Sequence, residues 1–211
     1  MFRDRNDAGV QLAKKLEQYR GQDAVVLALP RGGVVLGYEV ARALALPLDI
    51  VTVRKVGHPL SPEYAICAVD DRGTRLCNEE EIAQVDPEWL ARETAAQRDE
   101  AKRRSTLYRS GREPLPLARK VALIVDDGIA TGFSMRLAVE IVRTQKPSRI
   151  VVAVPVASAE TLRNIEKVAD ECIVLEPPDE FGGAVGAHYE AFEQVEDREV
   201  IELMNEASRT G

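Results

Sequence analysis

Two adjacent aspartates, Asp126 and Asp127, followed at once by Gly128-Ile129-Ala130-Thr131-Gly132-Phe133-Ser134, are the residues here whose types and spacing could do chemistry. Neighbouring carboxylates repel and raise a pKa, so a fold keeps such a pair where hydroxyl donors, a metal ion or a charged ligand compensates it. The small residues that follow let backbone amides point into a concavity, and Thr131 and Ser134 add hydroxyl donors. Behind them Leu137 pairs with Ile141 and Ala138 with Val142 at helical spacing, so the turn feeds the positive end of a helix dipole, a natural seat for phosphate. Carboxylates for hydroxyl groups beside amides for phosphate suit a sugar phosphate. The plainer alternative is a strand-turn-helix in which the aspartates only cap the helix and the glycines only turn the chain. A receiver-type acidic pocket is a second rival, and it leaves the glycine-threonine turn unexplained. Neither GxGxxG nor GxxxxGK[ST] occurs, so dinucleotide-binding and P-loop readings fail.

These residues need a strand to deliver them and a helix to receive them. Val121-Ala122-Leu123-Ile124-Val125 is a five-residue apolar strand with the aspartates at its carboxyl end, where α/β sheets present ligand sites. Residues 7–19 predict an amphipathic helix ended by Gly21. Ala24 to Leu29 predict a strand buried on both faces that runs into Pro30-Arg31-Gly32-Gly33, and a helix follows from about Val34 to Leu44. Leu48 to Arg54 read as a second strand, and Lys55 to Pro62 as a loop without regular structure. Tyr64 to Val69 and Thr74 to Cys77 read as a hairpin turning at residues 70–73. Residues 79–110 are highly charged and predict a helical insert packed by a narrow stripe of Trp89, Leu90, Leu107 and Tyr108, its charges a solvated face. After a linker at Pro114 and Pro116 come the strand from Val121, a helix from Ser134 to Gln145, a strand from Ile150 to Val156, another helix, and a strand from Cys172 to Leu175. Strands alternating with helices imply parallel crossover units and an α/β fold with a central, mostly parallel sheet flanked by helices.

The chain is one main domain over residues 1–211, with the insert at about 79–110 and a C-terminal lid or tail at about 176–211. A net charge of -7 argues against a duplex nucleic-acid footprint, though a small anion needs only a local pocket. Cys67, Cys77 and Cys172 lack CxxC pairing and a histidine cluster, so reduced, buried thiols are expected rather than a disulfide or zinc site. No apolar signal core opens the chain and no run is long enough to span a membrane, so a cytoplasmic protein without membrane partners is expected. In the tail, Phe181, Tyr189 and Phe192 stand among glycines and read as packing onto the body more readily than as a lid stacking on a planar base.

DDGIATG within VALIVDDGIATGFS resembles the 5-phosphoribosyl 1-pyrophosphate motif of type I phosphoribosyltransferases. The order of elements over residues 2–200, together with VRKVGHPLSPEYAICAV, PPDEFGGAVGAHYEAF and the charged insert, is similar to a group of predicted phosphoribosyltransferases whose acceptor is unassigned. The resemblance implies that Asp126 and Asp127 hold the ribose hydroxyls and that the run Gly128 to Ser134, chiefly Ala130 to Ser134, wraps the 5′-phosphate. It implies a pyrophosphate loop at Arg31, Gly32 and Gly33, and a mobile β-hairpin loop over residues 54–63 whose Arg54 and Lys55 reach the departing pyrophosphate. His58 in that loop reads as exposed, with a proton shuttle as the sharper alternative. Two departures from the family pattern stand at Gly128, where a bulkier apolar residue is usual, and at Phe133, where a small one is common. The implied reaction joins the phosphoribosyl group to a nitrogenous acceptor. Mg2+ is expected through the substrate, with Asp126 or Asp127 its nearest protein contacts and no direct protein metal site. A non-catalytic regulator that binds the same compound is the rival, and a homodimer is compatible with either.

Overall fold

The structure, a computed structural model, describes residues 1–176 and 181–210. In chain order the elements are α1 (Arg5–Lys15), β1 (Ala24–Ala28), α2 (Gly32–Leu44), β2 (Leu48–Ile50), β3 (Val53–His58), β4 (Ser61–Asp70), β5 (Arg75–Cys77), α3 (Glu79–Ile82), α4 (Pro87–Arg109), β6 (Val121–Val125), α5 (Phe133–Thr144), β7 (Arg149–Val154), α6 (Ala159–Ile165), β8 (Glu171–Val174) and α7 (Asp197–Thr210). No helix among the described residues is long and apolar enough to cross a membrane.

Five strands form one parallel sheet in the order β2-β1-β6-β7-β8. Its middle strands are buried on both faces, which is why they read as unbroken apolar runs. Val25, Leu27, Ala122, Ile124, Ile150 and Val152 pack toward α5 on one face. Their alternating neighbours Ala24, Val26, Leu123, Val125, Val151 and Ala153 pack toward α1 and α2 on the other. From β1 the chain turns outward to β2, whereas β6 lies on the opposite side of β1, so the strand order reverses between β1 and β6. Open α/β sheets form their ligand crevice at such a switch point, beyond the carboxyl ends of the strands. There stand the loop after β1 and the aspartates after β6.

The stretch expected as one strand from Leu48 to Arg54 is split: β2 ends at Ile50, and β3 begins a separate antiparallel sheet, β3-β4-β5. Residues 55–62 are likewise not an irregular loop. They form most of a hairpin whose strands turn at Pro59 and Leu60. Its proline is tolerated because the register slips at Gly57 and a Cβ there would lie 2.0 Å from the Pro62 carbonyl oxygen, so only glycine admits that approach. His58 Nδ1 accepts from the Leu60 amide, 3.1 Å, and so caps the turn. The hairpin of β4 and β5 is as expected, but its register sets Cys67 opposite Cys77, and the two form a disulfide. That corrects the expectation of reduced thiols for this pair; pairing across a sheet cannot be read from spacing. Cys172 is the free cysteine, its thiol pushed up to about 11 by burial.

The charged insert is helical, as α3 and α4. Asp86 caps α4 through the Trp89 amide and Pro87 opens its first turn. Leu90, Ala101 and Tyr108 are buried, while Leu107 is exposed. The C-terminal stretch ends in α7, whose Val200 and Met204 pack against Val34, Val35 and Tyr108.

Candidate functional site

The site is built from the carboxyl ends of β1 and β6. β6 sits between β1 and β7, and its buried apolar side chains hold Asp126 and Asp127 at the crevice. Asp126 Oδ1 accepts from the Asp127 amide at 2.9 Å. Burial, and then the neighbouring Asp127 charge, push the Asp126 carboxyl well above the usual carboxylate range. Asp127 is anchored differently: Arg5 Nε donates to its Oδ2 at 2.7 Å, with both side chains mostly buried. The same guanidinium donates to the Glu193 carbonyl at 2.6 Å and lies 3.8 Å from the centre of the Phe192 ring. Tyr189 donates its hydroxyl to the Asp127 carbonyl at 2.6 Å, and burial with the Asp127 charge raises its pKa.

The loop after β1 lies against this pair. A Cβ on Gly32 would fall 1.9 Å from Asp127 Oδ2, and one on Gly33 would fall 2.9 Å from Asp126 Oδ1. These glycines are therefore required by close approach of a neighbouring carboxylate. The Pro30–Arg31 peptide is cis. Among the described residues the amides of Arg31, Gly32 and Gly33 donate to no protein acceptor.

On the far side of the aspartates the chain crosses from β6 to α5. The Ile129 amide donates to the Val156 carbonyl at 2.9 Å and the Thr161 hydroxyl donates to the Ala130 carbonyl at 2.7 Å, tying the crossing to the end of β7 and to α6. Gly132 takes φ 80° at the start of α5, and a Cβ there would meet the Thr161 methyl at 2.8 Å. The amides of Ala130, Thr131, Gly132, Phe133 and Ser134 donate to no protein acceptor among the described residues. Ala130 and Thr131 are exposed, Phe133 and Ser134 half-buried, and the Ile129 side chain is a core residue, so only its backbone faces the crevice side. The departure at Gly128 has a steric reason: Val185 and Val156 fill the space its side chain would need, at 2.5 and 2.8 Å from a would-be Cβ.

Arg31 and Arg54 are brought toward one another and Lys55 is not. Arg54 projects from β3 toward α4, where its Nε donates to Gln97 Oε1 at 3.0 Å. Burial, followed by the charge of Arg104 and in lesser part that of Arg31, holds it below the usual arginine range. Lys55, the next residue along the strand, points to the opposite face and is exposed. Arg31 lies 3.6 Å from Asp197 Oδ1 and 3.8 Å from Glu196 Oε2.

No group of three or more His, Cys, Asp or Glu among the described residues could hold a metal ion. Asp126 and Asp127 are two adjacent carboxylates, a set that would give Mg2+ one or two protein contacts and leave its other ligands to water or a bound anion.

In the tail, Phe181 stacks on His188, and Tyr189 packs between Phe2 and Phe192. His188 accepts the Gly182 amide on Nε2 at 3.1 Å and faces Glu176 through Nδ1. Residues 177–180 of the expected lid lie outside the described residues.

Two sets of unpaired amides thus flank a carboxylate pair at the switch point of a parallel sheet, and the phosphoribosyl transferase domain family matches residues 7–191 of the chain. The chain belongs to that family. A Mycobacterium tuberculosis protein provisionally named a phosphoribosyl transferase is 39% identical over 211 residues, covering 99% of this chain and 47% of its own length. The chain therefore spans about half the length of that curated relative. The crystal structure of TT1426 from Thermus thermophilus is 43% identical with a TM-score of 0.82, covering 97% of this chain and 98% of that one.

Arg5 and Tyr189 are the site residues that sequence reasoning missed. Arg5 reaches Asp127 across 122 positions, and its own neighbourhood, Asp4-Arg5-Asn6-Asp7, signals only a helix start.

Proposed function

We propose that the chain binds 5-phosphoribosyl 1-pyrophosphate and transfers its phosphoribosyl group to a ring nitrogen of a heterocyclic acceptor, releasing pyrophosphate. The observation that carries this reading is the pair of amide clusters, Arg31–Gly33 and Ala130–Ser134, on either side of Asp126 and Asp127. One cluster suits the 5′-phosphate, the other the pyrophosphate, and the carboxylates between them suit the ribose hydroxyls.

On this reading the C1–O bond to pyrophosphate breaks as a bond from the acceptor nitrogen to C1 forms, and the proton on that nitrogen passes to solvent or base. The carboxylate pair favours the positive charge that builds on the ribose ring, and Arg31 with the Gly32 and Gly33 amides meets the negative charge that builds on the leaving group. Arg5 holds Asp127 in place beneath the ribose. Mg2+ bound with the donor would neutralise phosphate charge and be contacted by Asp126 or Asp127. The test is pyrophosphate release with the donor and a panel of purines, pyrimidines and other nitrogen heterocycles. Release with at least one acceptor that disappears in Asp126→Ala and Asp127→Ala is expected; near-normal release in both variants refutes the assignment.

A further inference from the structure

We propose that α4 supplies a third cation, Arg104, which joins Arg31 and Arg54 in holding the pyrophosphate as it leaves; the inference rests on the donor-binding reading above.

Glu93, Gln97, Glu100, Arg104 and Tyr108 recur every three or four residues and so share one face of α4. That face is a connected polar stripe rather than a solvated one. Gln97 donates to Glu93 at 2.8 Å and receives Arg54 at 3.0 Å. Arg104 donates to Glu100 at 2.7 Å. Tyr108, fully buried, donates to Asp197 Oδ1 at 2.6 Å, the same oxygen that Arg31 approaches at 3.6 Å. The stripe therefore runs from β3 to the loop after β1, and the expectation that the charges of residues 79–110 only meet solvent fails for this face.

The charges along it are unevenly matched. Half-buried Arg54 has no carboxylate within 4.0 Å among the described residues and is held by a neutral amide. Arg103 and Arg104 share one carboxylate, Glu100, which their hydrogen bonds draw down to about 2. Arg31 touches its two carboxylates only at 3.6 and 3.8 Å, beyond hydrogen-bond range, and one of them, Glu196, is 68% exposed. Arg103, by contrast, closes its fork on Glu100 with two bonds, at 2.7 and 3.0 Å. The guanidiniums of Arg31, from the loop after β1, and Arg104, from α4, both act electrostatically on Arg54 of β3 and on Tyr108. A dianionic or trianionic diphosphate matches them: its oxygens accept the donors that Gln97 leaves unused on Arg54, and its charge outcompetes Glu196 and Asp197, which contact Arg31 only beyond hydrogen-bond range.

Calorimetric titration with inorganic pyrophosphate and, separately, with ribose 5-phosphate tests this. Arg104→Met is expected to weaken pyrophosphate binding by about 10-fold or more, the value of one charge-assisted contact, with ribose 5-phosphate affinity within about 2-fold of the unaltered chain. Arg104→Lys, which keeps the charge and loses the fork, is expected to fall between, and it carries the same test should the methionine variant fail to fold. Arg98→Met, an exposed arginine of α4 paired with Asp99, is the control expected to change neither affinity. Unchanged pyrophosphate affinity in the Arg104 variants, or equal losses for both ligands, overturns the role of Arg104. An unaltered chain that binds neither ligand overturns the donor-binding reading itself, and the two failures are thereby told apart.

Discussion

Replacing Gly32 by alanine asks whether the loop after β1 and the Asp127 carboxylate work as one site. The new methyl carbon would stand 1.9 Å from Asp127 Oδ2, 2.7 Å from its Cγ and 2.9 Å from Arg5 Nε. Ordinary contact requires more than 3 Å, so the carboxylate must withdraw by about 1 Å or more, breaking its 2.7 Å bond from Arg5 and leaving the place proposed for its contact to the ribose. Losing one charge-assisted hydrogen bond at the ligand is worth about 1.5–3 kcal/mol, which weakens the donor by about 10- to 150-fold. Stability moves less. Gly32 does not occupy the left-handed region, and alanine recovers about 0.4–1 kcal/mol through the unfolded state, offsetting part of the broken contact. The assay is donor binding by calorimetry beside a thermal melt. A Gly32→Ala variant that binds 5-phosphoribosyl 1-pyrophosphate within about 2-fold of the parent refutes the coupling of loop and carboxylate.

Three further perturbations follow from the same geometry. Because the folded pKa of Asp126 lies above its unfolded value, its charge opposes folding once pH rises through the folded pKa. Asp126→Asn should therefore raise Tm at pH 8, by about 2–4 °C for each kcal/mol recovered, while abolishing turnover, and the gain should fade as pH drops to about 4, which melts across pH read directly. Arg5→Met strips Asp127 of its mostly buried partner and should cost about 2 kcal/mol, whereas adding Asp127→Asn should recover part of that loss in a double-mutant cycle. Gly132→Ala forces alanine to φ 80° against the Thr161 methyl and should cost about 1–2 kcal/mol while weakening ribose 5-phosphate binding, read by calorimetry.

The parallel sheet was legible because burial on both faces leaves strands such as Val121–Val125 no polar positions, and the aspartates after it were legible because adjacent carboxylates need compensation. What escaped depends on contacts between distant segments. The hairpin at Lys55–Pro62 looks broken because glycine and proline usually end structure, yet the missing Cβ of Gly57 is what lets Pro62 pair beside it. Cys67 and Cys77 meet through a strand register that spacing does not encode. Arg5 reads as the first turn of a helix, and only folding brings its guanidinium between Asp127 and Phe192. The inward stripe of α4 has the same charged composition as its outer face, so periodicity of apolar residues could not separate the two.

On the proposed reading Asp126 and Asp127 hold a ribose between two phosphate seats. A crystal structure with 5-phosphoribosyl 1-pyrophosphate and Mg2+ tests it most directly. The expected complex has the ribose hydroxyls on the two carboxylates, the 5′-phosphate on the amides of Ala130–Ser134 and the pyrophosphate on Arg31–Gly33. A donor bound with its phosphates away from both amide clusters, or a crevice that stays empty at saturating donor, would contradict it.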